Sequence, residues 1–396
     1  MYVVVADDLS GAAETGGVAV RYGLIAEVAL DEIPESRPQA LIVDTNTRSL
    51  PGRDAAERIV ALGPALEQIR KLRLFKKVDS VLRGPVAAEA AALMEAAGKA
   101  RALLVPANPG MGRVIRDGRY WMGGRPVEET DFRFDPEHPV RTSDVVKMAG
   151  AAPAGAPVTV RKPGEPLPEK GIVIGEAASA EDLETWAKAC DERTLAGGAA
   201  EFFAAYLEAK GHARAPAGET AMAPEERILI LSGSASAVSR EQLRELRRRG
   251  IPLVEMPPEL YPAAGRVDPI IHEWALSVAY TFRRTGRVIA AIGRPPLPGQ
   301  PRAARFAAYL AEMAAQVLER YPARHIWVEG GATAAALVRR LRWKRLEVVE
   351  ELRPGVVRLR PSGQETPLIV VKPGSYDWLE LLGAAVAKED HTARRG

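Results

Sequence analysis

Short apolar runs alternate with longer mixed segments along the first half of the chain. The first run, VVVA, covers residues 3–6, and further runs cover residues 40–44, 72–76, 101–105 and 171–175. Short aliphatic, β-branched runs of this kind are typical of buried strands. Because strand and helix patterns alternate at this spacing, we predict parallel βαβ units.

Helical patterns fill the spaces between these runs. They cover residues 12–21, 52–72 and 86–97, and a capping-box sequence at 179–182 opens another helix. Residues 113–144 break the alternation. A loop of this length is either a functional lid or a surface excursion covered by its own aromatic residues.

The second half of the chain repeats the strand and helix pattern. Its apolar runs predict strands at residues 227–231, 287–292, 325–328 and 367–372, and its helices are predicted over 301–320, over 334–341 and after a capping box at 239–242. An Ala-, Pro- and Gly-rich segment over 204–226 predicts a linker. We therefore predict two domains, residues 1–222 and 223–396.

Polar side chains follow the strands of the first half. The carboxyl ends of parallel strands lie at one edge of a sheet, where ligands bind, so these side chains are expected to converge. They are Asp7 and Asp8 after the first run, Arg48 after the second, Lys77, Asp79 and Arg83 after the third, and Asn108 after the fourth. One aspartate could instead cap the first helix, which leaves the other of the pair without a structural explanation.

Two small-residue loops lie between strands and helices of the second half. They are SGSAS at residues 232–236 and GGAT at residues 330–333. Backbone N–H groups in such turns, together with the helix dipole, attract anions, although tight packing alone also selects small residues. Lys372 precedes a Pro-Gly turn that is either a phosphate or adenine contact or a hairpin.

The composition narrows the class of protein. Of 396 residues, 47% are apolar and 27% are charged, which is typical of a globular protein. A net charge of +3 gives no indication of a nucleic-acid partner, and no run is long enough to span a membrane. One cysteine, Cys190, excludes an intramolecular disulfide, and the histidines show no metal-ligand spacing. We expect a cytoplasmic protein.

The candidate chemistry is phosphoryl transfer to a small acidic substrate. Arginines can bind a carboxylate through a bidentate fork, and an aspartate can accept the proton of an attacking hydroxyl. Backbone amides and Mg²⁺ would hold the phosphates of a nucleotide. The chain has no Walker A motif and no protein-kinase glycine loop, and the absence of GxGxxG after a predicted strand argues against a dehydrogenase.

The order of six motifs resembles that of the four-carbon acid sugar kinases. The motifs are ADDLSGAAETGG, KKVDSVLRG, PANPGMGR, SGSASAVSREQ, EGGATAAAL and VVKPGSY. That family phosphorylates acids such as threonate, erythronate and 3-oxo-tetronate with ATP. The resemblance implies two α/β domains, each with a mainly parallel sheet flanked by helices. It also implies sugar-acid binding by the first domain, nucleotide binding by the second, and an active site in the cleft between them.

The resemblance also implies roles for individual residues. Substrate contacts would be Asp7, Asp8, Arg48, Lys77, Asp79, Ser80, Arg83 and Asn108. Arg48 with Lys77 or Arg83 would hold the substrate carboxylate and hydroxyls. Catalytic roles would fall to Asp8, Asp79, Lys77 and Arg83, with Asp8 or Asp79 as general base. ATP contacts would be Ser234, Ser236, Gly330, Gly331, Ala332, Thr333 and Gly374. No ligand of Mg²⁺ is identified, and a homodimer stays open.

Five features depart from the usual pattern of the family. The segment KPGSYDW at residues 372–378 departs from KSGNFG, and Ala235 replaces a Cys. Glu14 replaces an Asp, Val81 stands where Thr is common, and Ala332 replaces a Glu that follows two glycines. The last change removes a carboxylate near the nucleotide. Two alternatives therefore stay open: a non-catalytic sensor of sugar acids and nucleotides, and a kinase for a different hydroxy acid.

Overall fold

The computed structural model divides the chain into two units. It describes residues 1–135, 138–152, 155–215, 227–234, 236–262, 267–294, 303–373, 378 and 381–382. Unit 1 is Met1–Pro216 and unit 2 is Ala217–Gly396. The predicted α/β class with mainly parallel sheets is confirmed. The predicted boundary at residue 222 lies outside the described residues. That boundary and the predicted position of the active site stay predictions.

Unit 1 is built on a parallel sheet. The strands are β1 (Tyr2–Ala6), β2 (Ala26–Leu30), β3 (Ala40–Asp44), β4 (Arg73–Lys77), β5 (Arg101–Val105), β9 (Val158–Arg161), β10 (Gly171–Gly175) and β11 (Thr194–Gly198). Their order in the sheet is β2-β3-β1-β4-β11-β5-β10-β9. A separate antiparallel sheet contains β6 (Arg113–Arg116), β7 (Arg119–Met122) and β8 (Arg125–Pro126).

The helices of unit 1 include the predicted ones, with one correction, and two that were not predicted, at residues 145–149 and 200–209. They are α1 (Leu9–Arg21), α2 (Gly52–Val60), α3 (Gly63–Glu67), α4 (Val86–Ala96), α5 (Val145–Ala149), α6 (Ala180–Ala189) and α7 (Ala200–Ala209). The prediction of one helix over 52–72 is wrong, because the chain breaks before Pro64 and restarts as α3. Proline has no N–H to continue the helical hydrogen bonds. The capping box of Ser179 and Asp182 is confirmed.

The register of three neighbouring strands positions the predicted site. Ala6, the last residue of β1, is the register partner of Asp44 in β3 and of Lys77 in β4. All five residues of β1 are buried, as the apolar run requires. Because the three strands are parallel and end at the same level, the loops that follow them leave the sheet side by side.

Unit 2 combines a parallel sheet with an antiparallel extension. Its strands are β12 (Ile228–Ser232), β13 (Leu253–Glu255), β14 (Arg287–Ala291), β15 (His325–Glu329), β16 (Arg345–Arg353), β17 (Val356–Pro361) and β18 (Leu368–Lys372). The order β13-β14-β12-β15-β18 is parallel, and β17 and β16 continue it as antiparallel strands. Trp327 and Trp378 pack in its core with ring centroids 6.2 Å apart.

The helices of unit 2 are α8 (Ala237–Arg248), α9 (Asp268–Thr285), α10 (Ala303–Arg320) and α11 (Gly331–Arg340). The helices of the structure correct two further predictions, the residue that caps α8 and the start of the linker. Ser236, not Ser239, caps α8, because the Ser236 hydroxyl accepts the Ser239 N–H. The predicted linker begins too early, since α7 continues to Ala209. Among the described helices, none combines the length and apolar character needed to cross a membrane.

Candidate functional site

Arg48 joins the two aspartates that follow β1. Its Nε and Nη2 donate to the Asp7 carboxylate at 2.7 and 3.1 Å, and its Nη1 and Nη2 donate to Asp8, both at 2.7 Å. Asp8 also caps α1 by accepting the Gly11 N–H at 2.9 Å. Burial raises the pKa of Asp7, but Arg48 and Lys76 outweigh burial and hold it below its ordinary value. The expectation that one aspartate caps the first helix is confirmed for Asp8, and Arg48 holds both aspartates.

Asp79 lies in the same site and is paired with Arg83. Arg83 Nε and Nη2 donate to its two oxygens at 2.9 and 2.8 Å, and Arg48 Nη2 lies 3.7 Å away. Burial raises the pKa of Asp79, but Arg83 and Arg48 reverse the shift and hold it far below its ordinary range. Arg83 Nη1 also donates to Asp135 at 2.8 Å. Asp79 is therefore ionised throughout the physiological range.

Lys77 and Glu14 extend this site along helix α1. The Lys77 ammonium lies 3.3 Å from Glu14 Oε2 and donates to the Val78 carbonyl at 3.1 Å. Gly11 allows this approach, because a Cβ there would lie 2.8 Å from Asp8 Oδ1 and 3.3 Å from Lys77 Nζ. The longer Glu14, which departs from the family pattern, thus has a partner inside the predicted site.

The remaining predicted substrate residues are placed differently. The Ser80 hydroxyl accepts from Arg113 Nη1 at 2.6 Å, and the guanidinium groups of Arg113 and Arg83 lie over the ring of Phe132 at 5.8 and 5.5 Å. Asn108 caps a short 3-10 helix, Pro109–Met111, through the Met111 N–H. The structure therefore adds Arg113 to the neighbourhood of Ser80 and gives Asn108 a local contact.

These charged side chains form an ionic cluster with a surplus of carboxylates. We define it by its eight members: Asp7, Asp8, Glu14, Asp79 and Asp135, with Arg48, Lys77 and Arg83. Every cation of the cluster already has a carboxylate partner. The ionic cluster therefore suits hydrogen bonds from hydroxyl groups better than it suits an added anion.

Unit 2 holds a buried polar network at the ends of three neighbouring strands. Glu329 Oε2 accepts from the hydroxyls of Ser232 and Ser239, both at 2.6 Å, and Glu329 Oε1 accepts from Lys372 Nζ at 2.9 Å. Glu329, Ser232 and Lys372 have no exposed surface. Ser232 and Lys372 are the register partners of Glu329 in β12 and β18. The network therefore ties together the strands that precede the predicted nucleotide loops.

The predicted nucleotide residues lie directly after this network. Ser234 and Ser236 contact each other through their hydroxyls at 3.2 Å, and Gly331, Ala332 and Thr333 form the first turn of α11 after Gly330. The N–H groups of a first helical turn lack intrahelical acceptors and can bind phosphate. A Cβ at Gly233 would lie 1.8 Å from Thr333 Oγ1, so the two loops touch. Gly374 lies outside the described residues.

No metal centre is formed by protein side chains in the part of the chain that the structure describes. That part holds no group of three or more His, Cys, Asp or Glu residues able to bind a metal ion. Mg²⁺ usually keeps several waters and binds through one or two carboxylates and the substrate phosphates, so it requires no such group. Mg²⁺ therefore enters our proposal only as a complex with the nucleotide.

Sequence reasoning missed several members of these two sites. Glu329 was not singled out, although it ends a strand directly before a Gly-Gly turn, and the partner of Lys372 was not identified. Glu14, Arg113 and Asp135 were also missed as partners of predicted residues. The signal for Glu329 was available, because an acidic residue at the end of an apolar strand needs a partner.

Two family models together cover most of the chain. A sugar-binding N-terminal domain matches residues 2–206, and a nucleotide-binding C-terminal domain matches residues 229–376. The ionic cluster lies within the first match, and the Ser232, Glu329 and Lys372 network lies within the second.

Several relatives carry the names of sugar-acid kinases. A D-threonate kinase of Bordetella bronchiseptica is 28% identical over 96% of this chain and 95% of its own length. A 3-oxo-tetronate kinase of Methylobacterium radiotolerans is 27% identical over 96% of this chain and 97% of its own length. The match to a D-threonate kinase of Salmonella typhimurium, at 29% identity, spans 63% of this chain and 61% of that protein.

A solved structure supports the fold. A Haemophilus influenzae protein matches 98% of this chain and 99% of its own length with a TM-score of 0.70 at 19% identity. This likeness extends over both units.

Proposed function

Because the chain belongs to the four-carbon acid sugar kinase family, we propose that it transfers the terminal phosphoryl group of ATP to a hydroxyl of a four-carbon sugar acid. The acids that its relatives' names suggest are threonate, erythronate and 3-oxo-tetronate. One observation carries the proposal. The ionic cluster gathers carboxylates at the carboxyl edge of β1, β3 and β4, inside the region that matches the sugar-binding model.

The chemistry we propose for the ionic cluster is orientation of the reacting hydroxyl. Asp79 and Asp8 would accept hydrogen bonds from substrate hydroxyls, and Arg48 and Arg83 would hold these carboxylates in place. A low pKa makes Asp79 a weak base. Phosphoryl transfer nevertheless tolerates a weak base, because its transition state is loose and catalysis relies mainly on positioning. Lys77 adds positive charge beside the same hydroxyls.

We propose that unit 2 binds the triphosphate through backbone N–H groups and hydroxyls. Gly331, Ala332 and Thr333 would supply donors from the first turn of α11, and Ser234 and Ser236 would supply hydroxyls. The fit rests on the contact at Gly233, which brings the two loops together. Mg²⁺ would neutralise charge on the phosphate oxygens when it is bound with ATP.

ADP release tests the proposal. A coupled assay with Mg·ATP and D-threonate, D-erythronate or 3-oxo-tetronate, each beside a control without acid, is expected to show release that depends on one acid. Asp79→Asn should lower kcat at least about 100-fold, while the KM for ATP changes little, since Asp79 lies in the sugar-binding region. Release with none of the acids would refute the proposed substrate class. Normal turnover by Asp79→Asn would remove Asp79 from the catalytic residues.

A sensor without catalytic activity stays the second candidate. Ala332 favours it, because the first turn of α11 contains no acidic residue. Thermal unfolding with and without Mg·ATP separates the two, since a ligand that binds the folded state raises Tm. Stabilisation by ATP together with acid-dependent ADP release supports the kinase. Stabilisation by a sugar acid without any turnover supports the sensor. The question of a homodimer stays open, and sedimentation of the purified protein answers it.

A further inference from the structure

A hollow beside Arg83 lies next to the ionic cluster. It has a volume of about 240 Å³ and is lined by residues 81–84 and 138–142 with Lys147 and Met148. Pockets for drug-sized ligands start at about 300 Å³, so this hollow suits a smaller molecule. Arg83 both lines the hollow and donates to Asp79. The hollow and the ionic cluster therefore share one residue, Arg83.

The cations that line the hollow differ in their partners. Arg83 is paired with Asp79 and Asp135. Lys147 is 74% exposed and lies 3.5 Å from Asp144, and His138 shares a hydrogen bond with Ser49 at 3.2 Å.

Arg141 is the exception among these groups. No carboxylate pairs with it in the described part of the chain. Arg141 is exposed and is the lining arginine without a carboxylate partner in the described part of the chain.

We infer that this hollow receives the carboxylate of the sugar acid, with Arg141 as its counter-ion. The inference rests on the proposed function and deepens it. A four-carbon sugar acid has a carboxylate at one end and hydroxyls along the rest of its chain. The ionic cluster, with five carboxylates and three cations, repels the first and accepts hydrogen bonds from the second. The acid therefore binds with its carboxylate toward Arg141 and its hydroxyls toward Asp79.

This orientation changes the roles implied by the motif pattern. The guanidinium of Arg48 donates its hydrogen bonds to Asp7 and Asp8, and the guanidinium of Arg83 donates to Asp79 and Asp135. Both then act as positioning residues for the aspartates, whereas Arg141 determines specificity for an acid over a neutral sugar derivative. Arg113 competes with Arg141 as the counter-ion of the substrate carboxylate, because the Arg113 guanidinium donates its hydrogen bond to the hydroxyl of Ser80 and not to a carboxylate.

The test compares an acid with its neutral amide in the full-length protein. The substrates are the acid that supports ADP release and its primary amide, and the variants are Arg141→Gln, Arg141→Lys and Arg113→Gln. Arg70→Gln is the matched control, because Arg70 is exposed and precedes the opposite, amino end of β4. Arg141→Gln should raise the KM for the acid about 10- to 100-fold, leave the KM for ATP unchanged, and remove the preference for acid over amide. Arg141→Lys should keep part of that preference.

The possible failures are distinguishable. If wild type releases ADP with an acid but Arg141→Gln behaves like Arg70→Gln, the inference is overturned and the proposed function stands. The same holds if Arg113→Gln, and not Arg141→Gln, removes the preference for the acid. If wild type shows no release with any acid of the panel, the proposed function fails, and this inference fails with it.

Discussion

Lys372 and Glu329 form a fully buried ion pair, with Nζ 2.9 Å from Oε1, at adjacent positions of β18 and β15. The Lys372 ammonium also donates to the Pro373 carbonyl at 3.1 Å and lies 4.7 Å from the centre of the Trp378 ring. Its position before a Pro-Gly turn predicts either a phosphate or adenine contact or a hairpin, and Gly374 of that turn lies outside the described residues. The Lys372 ammonium is buried and paired with Glu329, so Lys372 organises the strand ends that carry the proposed nucleotide loops.

Removing one partner of this pair should destabilise unit 2 strongly. Lys372→Met leaves the Glu329 carboxylate buried without its cation, which costs about 3–5 kcal/mol. The double variant Lys372→Met, Glu329→Gln removes both charges and should recover much of that loss. Urea unfolding monitored by tryptophan fluorescence measures each free energy of unfolding. The two charges would not be coupled if the double variant lost as much free energy of unfolding as Lys372→Met and Glu329→Gln lose together as single variants.

Gly233→Ala should disrupt the contact between the two nucleotide loops. The new Cβ would lie 1.8 Å from Thr333 Oγ1, a distance that forces one loop to move. We expect stabilisation of the protein by Mg·ATP to decrease, as measured by the shift in Tm. Thr333→Ala removes the clashing oxygen, so combining it with Gly233→Ala should restore part of the shift. Unchanged stabilisation in Gly233→Ala alone would show that the loops do not need this approach.

Arg48→Lys should show that the fork of Arg48 matters as well as its charge. One ammonium cannot replace four hydrogen bonds to two carboxylates. We expect a loss of about 1–3 kcal/mol in the free energy of unfolding. Arg53→Lys is the control, because Arg53 is 88% exposed in its pair with Glu57 and should change stability by less than about 0.5 kcal/mol. Equal effects of the two variants would argue against an organising role.

His325 predicts a pH dependence of stability. Burial, reinforced by Arg358 and Arg324, lowers the pKa of His325 to about 4. The unfolded chain, with a histidine pKa of about 6.5, then binds the additional proton between these two values. This contribution is complete above pH 6.5 and is lost as the pH falls toward 4, by up to about 3 kcal/mol at about 1.36 kcal/mol per pH unit. His325→Gln should flatten this decline in urea titrations, whereas His272→Gln, at an exposed position, should not.

Strand placement and the convergence of polar residues followed from local pattern. The runs at residues 40–44 and 101–105 coincide with β3 and β5, because aliphatic runs between polar loops favour buried parallel strands. The strand AEVAL of β2 was missed, since a charged Glu27 interrupts its apolar pattern. The hairpin of β16 and β17 was missed as well, because its many charged residues hide the alternation.

The sequence by itself determined the βαβ class, the positions of most parallel strands and the residue types at their ends. These depend on interactions between residues close along the chain. Only the tertiary structure decided which charges neutralise each other: Arg48 with Asp7 and Asp8, Arg83 with Asp79, and Lys372 with Glu329. The pairs of Arg48 join the loops after two different strands, and the pair of Lys372 and Glu329 joins two strands. The pair of Arg83 and Asp79 depends on the fold of the single loop after β4. Pairing of charges depends on distance and burial in three dimensions, and neither can be read from the order of residues.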